Sequence, residues 1–347
     1  MRAPAPRNGK HMKAVYFEQH GGPDVLRHGA FPDPLPAAGW VQVRVRACSL
    51  NYLDIFSRRG MPGITIPLPS ITGGDAAGEI SALGAGVQRW AVGQRVLIDP
   101  VYDDPESGRF LMLGENCRGA LAELCTVHES QLIRLPDEVG FVQAACLPVA
   151  YGTAHRMLID RGKVQANEKV LVLGASGGVG NACVLLSKAR GAYVIGAAAG
   201  PEKCRRLLEL GADEVIDYES QDLVSETRRR TGGGLFSGGG YEVVINFTGG
   251  ETWAPSLRCA KLGGRVLTCG ATAGFDPPTD LRYIWSGELD VRGSNGWLRG
   301  DLEALLELVR TGSLKPVIDS VVDLAGAIDA CRRLEDRAFF GKLVVTP

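Results

Sequence analysis

Val170-Leu171-Val172-Leu173-Gly174-Ala175-Ser176-Gly177-Gly178-Val179-Gly180 decides the fold. A short apolar run stops at Gly174, a glycine-dense turn follows, and an apolar-periodic segment runs from Asn181 to Arg190. The order is strand, loop, helix. Small residues let a backbone come close to a pyrophosphate, whose charge is favoured at the positive N-terminal end of the helix. Ala175, Ser176, Gly177, Gly178, Val179 and Gly180 are therefore candidate cofactor-binding residues. The motif is incomplete: Ala175 stands where the first glycine of G-x-G-x-x-G would be, with Gly177 and Gly180 after it. What surrounds it must decide.

Downstream the texture alternates. Tyr193–Ala198 reads as a strand, followed by a helix with Pro201 near its first position and Gly211 just past its end. Glu214–Tyr218 is a third strand, Gln221–Arg230 is polar and helical, and Gly232–Gly240 is a flexible loop. Tyr241–Phe247, Arg265–Cys269 and Leu289–Gly293 supply three more strands, with a helix around Pro255–Leu262. Short apolar strands interleaved with helices predict an α/β fold with a doubly wound, six-stranded parallel sheet. This is the context that the glycine turn needs.

Upstream, from about residue 13 to 147, the chain is β-rich. Val41-Gln42-Val43-Arg44-Val45-Arg46 alternates with period two, and turns at Pro32–Pro36, Met61–Pro69 and Asp99–Gly108 break up the rest. Beyond the sixth strand, Asp301–Arg310 is amphipathic, with Leu302, Leu305, Leu306 and Val309 on one face and Gly312 as its stop. Gly341–Val345 is a closing strand, and the last stretch is expected to fold back onto the first domain. The expected plan is a disordered leader over 1–11, a β-rich domain over 12–148, a nucleotide domain over 149–297 and a return over 298–347.

The chain has 347 residues, a formal net charge of -1 and 45% hydrophobic residues. That is ordinary globular composition, with no strongly basic face for nucleic acid. No apolar run reaches the ~18 residues of a membrane span. Met1–His11 is Pro- and Arg-rich and lacks the apolar core of a secretory signal. The nine cysteines are odd in number and contain no C-x-x-C pair, which fits free thiols in a reducing cytoplasm.

The second strand bears on the choice of dinucleotide. NAD enzymes place Asp or Glu about 20 residues after the glycine loop, to bind the ribose 2′-hydroxyl. Gly196-Ala197-Ala198-Ala199-Gly200 contains no carboxylate, and Lys203, Arg205 and Arg206 follow at once. At least one of these three is a solvated surface charge. Lys203 lies nearest the turn and is the candidate partner of a 2′-phosphate, with Tyr218 able to cover it. Ala199 and Gly270 are the remaining candidate cofactor contacts in this domain. NADP(H) is expected over NAD(H).

Further segments carry a family resemblance: Asn51-Tyr52-Leu53-Asp54, Gly73-Gly74-Asp75-Ala76-Ala77-Gly78-Glu79-Ile80, Gly93-Gln94-Arg95-Val96, Pro148-Val149-Ala150-Tyr151-Gly152-Thr153-Ala154, Leu210-Gly211-Ala212-Asp213-Glu214-Val215-Ile216-Asp217-Tyr218 and Gly341-Lys342. With the glycine loop, and in this order, they resemble the medium-chain dehydrogenase/reductase superfamily from Met12 onward. The resemblance implies a GroES-like catalytic domain beside a Rossmann domain. Where the alcohol dehydrogenases of that superfamily hold catalytic zinc, this chain has Asn51, Gly74 and Val149, none a usual zinc ligand. The stretch matching the structural-zinc lobe, Asp99–Gly119, holds only Cys117, with Cys125 beyond it. No zinc is expected. Without a Lewis acid an alkoxide is poorly stabilised, which leaves hydride delivery to an electron-poor acceptor. The chain thus resembles the zinc-independent quinone oxidoreductase and enoyl reductase branch, which implies a small quinone or α,β-unsaturated carbonyl as substrate.

Matching positions supply the candidate site. Asn51 either orients a substrate carbonyl or caps the helix that follows. Tyr52 either donates to the developing enolate or is a half-buried aromatic. Thr153 matches a residue close to the nicotinamide. Asp54 and Asp75 match residues that make structural bonds. Lys342 and Arg337 match residues near the cofactor, with surface charge as the alternative. One departure stands out. The G-x-Y tyrosine that serves some enoyl reductases as proton donor is absent, and Gly60-Met61-Pro62 stands there instead. Two other readings remain: a zinc-type alcohol dehydrogenase with displaced ligands, and a non-catalytic NADPH-binding protein of the same fold. The resemblance also implies a homodimer formed edge to edge through the sixth strand.

Overall fold

A computed structural model describes residues 9–105 and 108–347. The chain forms two compact units. One is Ala150–Asp301, and the other combines the chain up to Val149 with the chain from Leu302.

In the first of these, six strands form one sheet: β1 (Lys169–Leu173), β2 (Tyr193–Ala198), β3 (Glu214–Asp217), β4 (Tyr241–Ile245), β5 (Ala260–Thr268) and β6 (Asp290–Gly293). Their order is β3-β2-β1-β4-β5-β6, and every pairing is parallel. Val170 to Leu173 are all buried, because helices cover both faces of a parallel sheet. Leu171, Ile195, Val244 and Val266 belong to one apolar core. The strand order reverses between β1 and β4, so the carboxyl ends of these strands flank the crevice where open α/β sheets bind ligands.

The other unit is built on an antiparallel core. Leu132–Arg134, Arg95–Ile98, Asp75–Leu83, Trp40–Ser49, Lys342–Thr346 and Ile318–Asp323 lie side by side, and Leu124–His128 also pairs with Trp40–Ser49. The C-terminal strand enters through Val344 opposite Ser49 and Val345 opposite Cys48. This pairing brings Lys342 beside the chain at Leu50 and Asn51.

Several local expectations need correction. The helix expected around Pro255–Leu262 spans Trp253–Cys259, because Ala260 already pairs with Tyr241 in the sheet. The turn expected at Asp99–Gly108 contains Val101–Asp103, which pairs with Phe110–Met112. The leader expected over 1–11 falls mostly outside the described residues, and His11 opens the strand His11–Phe17. Phe141–Arg161 was not expected to be helical. It runs as short α-helical pieces with π-helical turns at Leu147–Gly152 and Met157–Arg161.

Candidate active site

The glycine turn is shaped for close approach. Gly174 has φ 64°, a left-handed conformation that favours glycine. The helix Gly178–Ala189 starts beyond Gly177, so the N–H groups of Gly178, Val179 and Gly180 lack intrahelical acceptors at its positive end. A Cβ on Gly180 would sit 2.3 Å from the Gly174 carbonyl oxygen, which explains the glycine there. Ala175 is tolerated because its methyl faces Gly196, whose own Cβ would stand an ordinary 3.5 Å away. Asn181, fully buried, donates from Nδ2 to the Ala175 carbonyl at 2.6 Å and ties the turn to its helix. The sequence reading passed over that anchor.

At the end of β2 the structure corrects the sequence reading. The Gly196–Gly200 stretch has no carboxylate of its own, but the sheet register sets Asp217 opposite Ala198. Asp217 accepts the Gly200 N–H at 2.9 Å and the Glu219 N–H at 3.1 Å. The Gly200 bond in particular holds its pKa below the usual value. A negative charge therefore does stand at this turn. Lys203 is half-buried in the first turn of the helix Pro201–Leu210, and Tyr218 is 45% exposed. Arg205 is the solvated one of the three basic residues, paired with Glu202 at 2.6 Å and with Glu209. Ala199 is half-buried beside Gly200, and Gly270 is exposed beyond β5. Thr153, in the same unit, is buried at the start of the helix Thr153–Arg156.

In the other unit the candidates form a buried polar cluster. Asp75 is fully buried. Its Oδ2 accepts from Ser49 Oγ at 2.8 Å, Asn51 Nδ2 at 2.8 Å and Lys342 Nζ at 3.3 Å, and its Oδ1 accepts the Val149 N–H at 2.8 Å. Lys342, 2% exposed, also donates to Asn51 Oδ1 at 2.6 Å and to the Leu50 carbonyl at 2.9 Å. Its three protons all have acceptors, so Lys342 is neither a surface charge nor left with a donor for a cofactor. An ammonium only donates, which fixes the orientation of the Asn51 amide. Asn51 precedes the helix Tyr52–Arg59, but its side chain does not cap it. Its second Nδ2 hydrogen has only a long contact, 3.4 Å, to the Ser49 carbonyl. The roles of Ser49 and the Val149 N–H were not legible as site features.

Tyr52 differs. Its ring packs edge-on against Phe56 at 5.2 Å and against the core, while its hydroxyl makes no hydrogen bond among the described residues. Asp54 is buried and accepts the N–H groups of Asn51 and Gly73 at 2.7 and 2.8 Å. Burial pushes its pKa up to about 6 against these two bonds. Arg337 lies exposed in a turn with φ 56°.

The positions that match zinc ligands do not fit the ion. Asn51 is held by Lys342, Val149 offers a backbone N–H already given to Asp75, and a Cβ on Gly74 would lie 3.1 Å from the Leu113 carbonyl. Among the described residues no three His, Cys, Asp or Glu side chains gather as a metal site.

Two family models match: the alcohol dehydrogenase GroES-like domain over 37–137, and the zinc-binding dehydrogenase model over 178–311. The chain belongs to the medium-chain dehydrogenase/reductase superfamily. Within it, the chain falls in the quinone oxidoreductase branch. It is 30% identical to a quinone oxidoreductase of Pseudomonas aeruginosa over 96% of this chain and 99% of that protein. It is also 30% identical to the human synaptic vesicle membrane protein VAT-1 homolog, over 97% of this chain and 86% of that one. A solved structure described as an NAD-dependent alcohol dehydrogenase matches with TM-score 0.89 and 33% identity, over 97% of this chain and 100% of that one.

Proposed function

We propose that this oxidoreductase works without zinc and transfers a hydride from NADPH to a quinone or an activated alkene. The buried ammonium of Lys342, hydrogen-bonded to Asn51, carries this reading, because a cation already stands beside the residue that replaces the first zinc ligand. A divalent ion there would meet like charge and no thiolate or imidazole. Reduced nicotinamide supplies the hydride when bound. The first-turn N–H groups of Gly178, Val179 and Gly180 hold its pyrophosphate, and Ala175, Ser176, Gly177, Thr153, Ala199 and Gly270 are its further candidate contacts. The Tyr52 hydroxyl donates a hydrogen bond to the oxygen on which charge develops; the proton that completes the reduction comes either from Tyr52, which solvent then reprotonates, or from water directly. Asn51 supplies its loosely held Nδ2 hydrogen to the same oxygen. Lys342 and Asp75 position Asn51 and take no part in the transfer.

For the 2′-phosphate, Lys203 and Tyr218 support NADP(H). Asp217 favours the second reading, NAD(H), and the ratio of the two KM values decides between them. The open edge of β6, with Val291 39% exposed, supports a homodimer, which light scattering tests. The nine free cysteines support a reducing, cytoplasmic setting. Among the described residues no helix is long and apolar enough to cross a membrane. NADPH oxidation measured in parallel with a benzoquinone, an enone, a 2-alkenal and an enoyl thioester tests the function. Turnover of ethanol with bound zinc, or no turnover at all, would sink it.

A further inference from the structure

The carboxyl ends of β5 and β6, together with the helical segment that carries Arg156 and Arg161, line an open pocket of about 380 Å³. Cys269, Gly270, Ser294 and Asn295 also line it, and no carboxylate does. Arg161 donates from Nε to the Gly293 carbonyl at 2.9 Å. Arg156 is the more telling residue. Its Nε is buried without a hydrogen-bond partner, and the guanidinium forms no ion pair among the described residues. The Ser294 hydroxyl, on a residue 6% exposed, is likewise buried without a partner. Other half-buried arginines of this unit find partners: Arg230 meets Glu214 and Glu226, Arg265 meets Glu168, and Arg258, whose Nε is also buried without an acceptor, stacks over the Tyr283 ring at 5.9 Å. A buried donor without an acceptor is costly, and two residues that each carry one line this pocket, which marks it as a place prepared for a ligand. Cys269 does not supply the missing negative charge, since burial pushes its thiol up to about 12.

We propose that this pocket is a binding subsite for a small oxyanion, a carboxylate or a phosphate, held by the Arg156 guanidinium and the Ser294 hydroxyl. The guanidinium offers a planar fork that matches two oxygens at once, and Ser294 supplies a further donor. The site lies at the carboxyl ends of the strands, where α/β sheets place their ligands. The anion has two possible sources, a carboxylate carried by the acceptor or free phosphate. Only the first rests on the reductase reading.

Calorimetric titration of the nucleotide-free protein with sodium benzoate, and separately with inorganic phosphate, tests the site without any turnover. Saturable binding of at least one is expected. It should weaken at least about tenfold in Arg156→Gln, as loss of a charge-assisted pair demands, and recover in part in Arg156→Lys. Arg205→Gln, a surface control, should bind like the native chain. Ser294→Ala should bind severalfold more weakly, which keeps the proposal open to failure even if Arg156→Gln does not fold. Absence of saturable binding, or equal binding by Arg156→Gln and the native chain, overturns the proposal. A second arm separates the sources. If the acceptor carries the anion, a carboxymethyl-benzoquinone shows a lower KM with NADPH than its methyl ester, and Arg156→Gln erases the difference. Equal KM values beside tight phosphate binding assign the site to free phosphate. A protein that binds benzoate but oxidises no NADPH keeps the subsite and loses the reductase.

Discussion

Two cations of this protein, Lys342 buried and Arg156 half-buried, live in opposite circumstances. Lys342 has an acceptor for every proton and a carboxylate, Asp75, that itself receives four donors. Arg156 has a buried Nε with no acceptor and no counter-charge. A saturated network holds other groups still; an unsaturated one waits for something to arrive. The first suits positioning of Asn51, and the second suits recognition of a ligand. The count of partners among the described residues separates the two.

Breaking the saturated side should have the largest effect. Lys342→Met leaves Asp75 buried without its counter-charge and should destabilise the protein by about 3–5 kcal/mol in denaturant unfolding. Adding Asp75→Asn to it should recover a large part of that loss, whereas simple addition of two losses would show that the pair is not coupled.

Asp54 sharpens the same comparison through pH. Its pKa stands near 6 in the folded chain, against 3.8 for the free side chain. An acid with a raised folded pKa gives its stability below the unfolded value and loses it as pH rises through the folded one. Relative to Asp54→Asn, the native chain should therefore lose on the order of 2 kcal/mol between about pH 4 and pH 6. A flat difference across that window would show that the two N–H bonds outweigh burial.

Tyr52→Phe comes next. Removing a free hydroxyl that donates to the acceptor should lower turnover of an enone at least about tenfold, with a smaller effect on a benzoquinone. Equal rates on the enone would remove Tyr52 from the site. Lys203→Gln should raise the KM for NADPH about tenfold and leave that for NADH nearly unchanged. At the small end, Arg205→Gln should shift neither KM nor the unfolding midpoint, because its ion pairs are exposed.

The six-stranded sheet was legible because its strands are short apolar runs punctuated by Pro201, Gly211 and the glycine turn. Local pattern determines such elements. The site was legible only in part. Asn51 and Tyr52 stand out by resemblance, but Lys342 lies 291 residues from Asn51, and strand pairing alone brings them together. The same holds for Asp217, which the register of β2 and β3 carries to Gly200 across a gap that the linear sequence shows as empty. The isolation of Arg156 is a property of everything around it, and no local pattern encodes it. The helical run at Phe141–Arg161 has no clean helical pattern to read, because Pro148 and Gly152, poor helix formers, lie within it and are taken up by a π-helical turn.

Metal content and turnover measured on one sample test the central claim most directly. Chelator-treated protein with substoichiometric zinc should reduce a benzoquinone with NADPH as fast as untreated protein. Activity lost on chelation and restored by zinc would contradict the account.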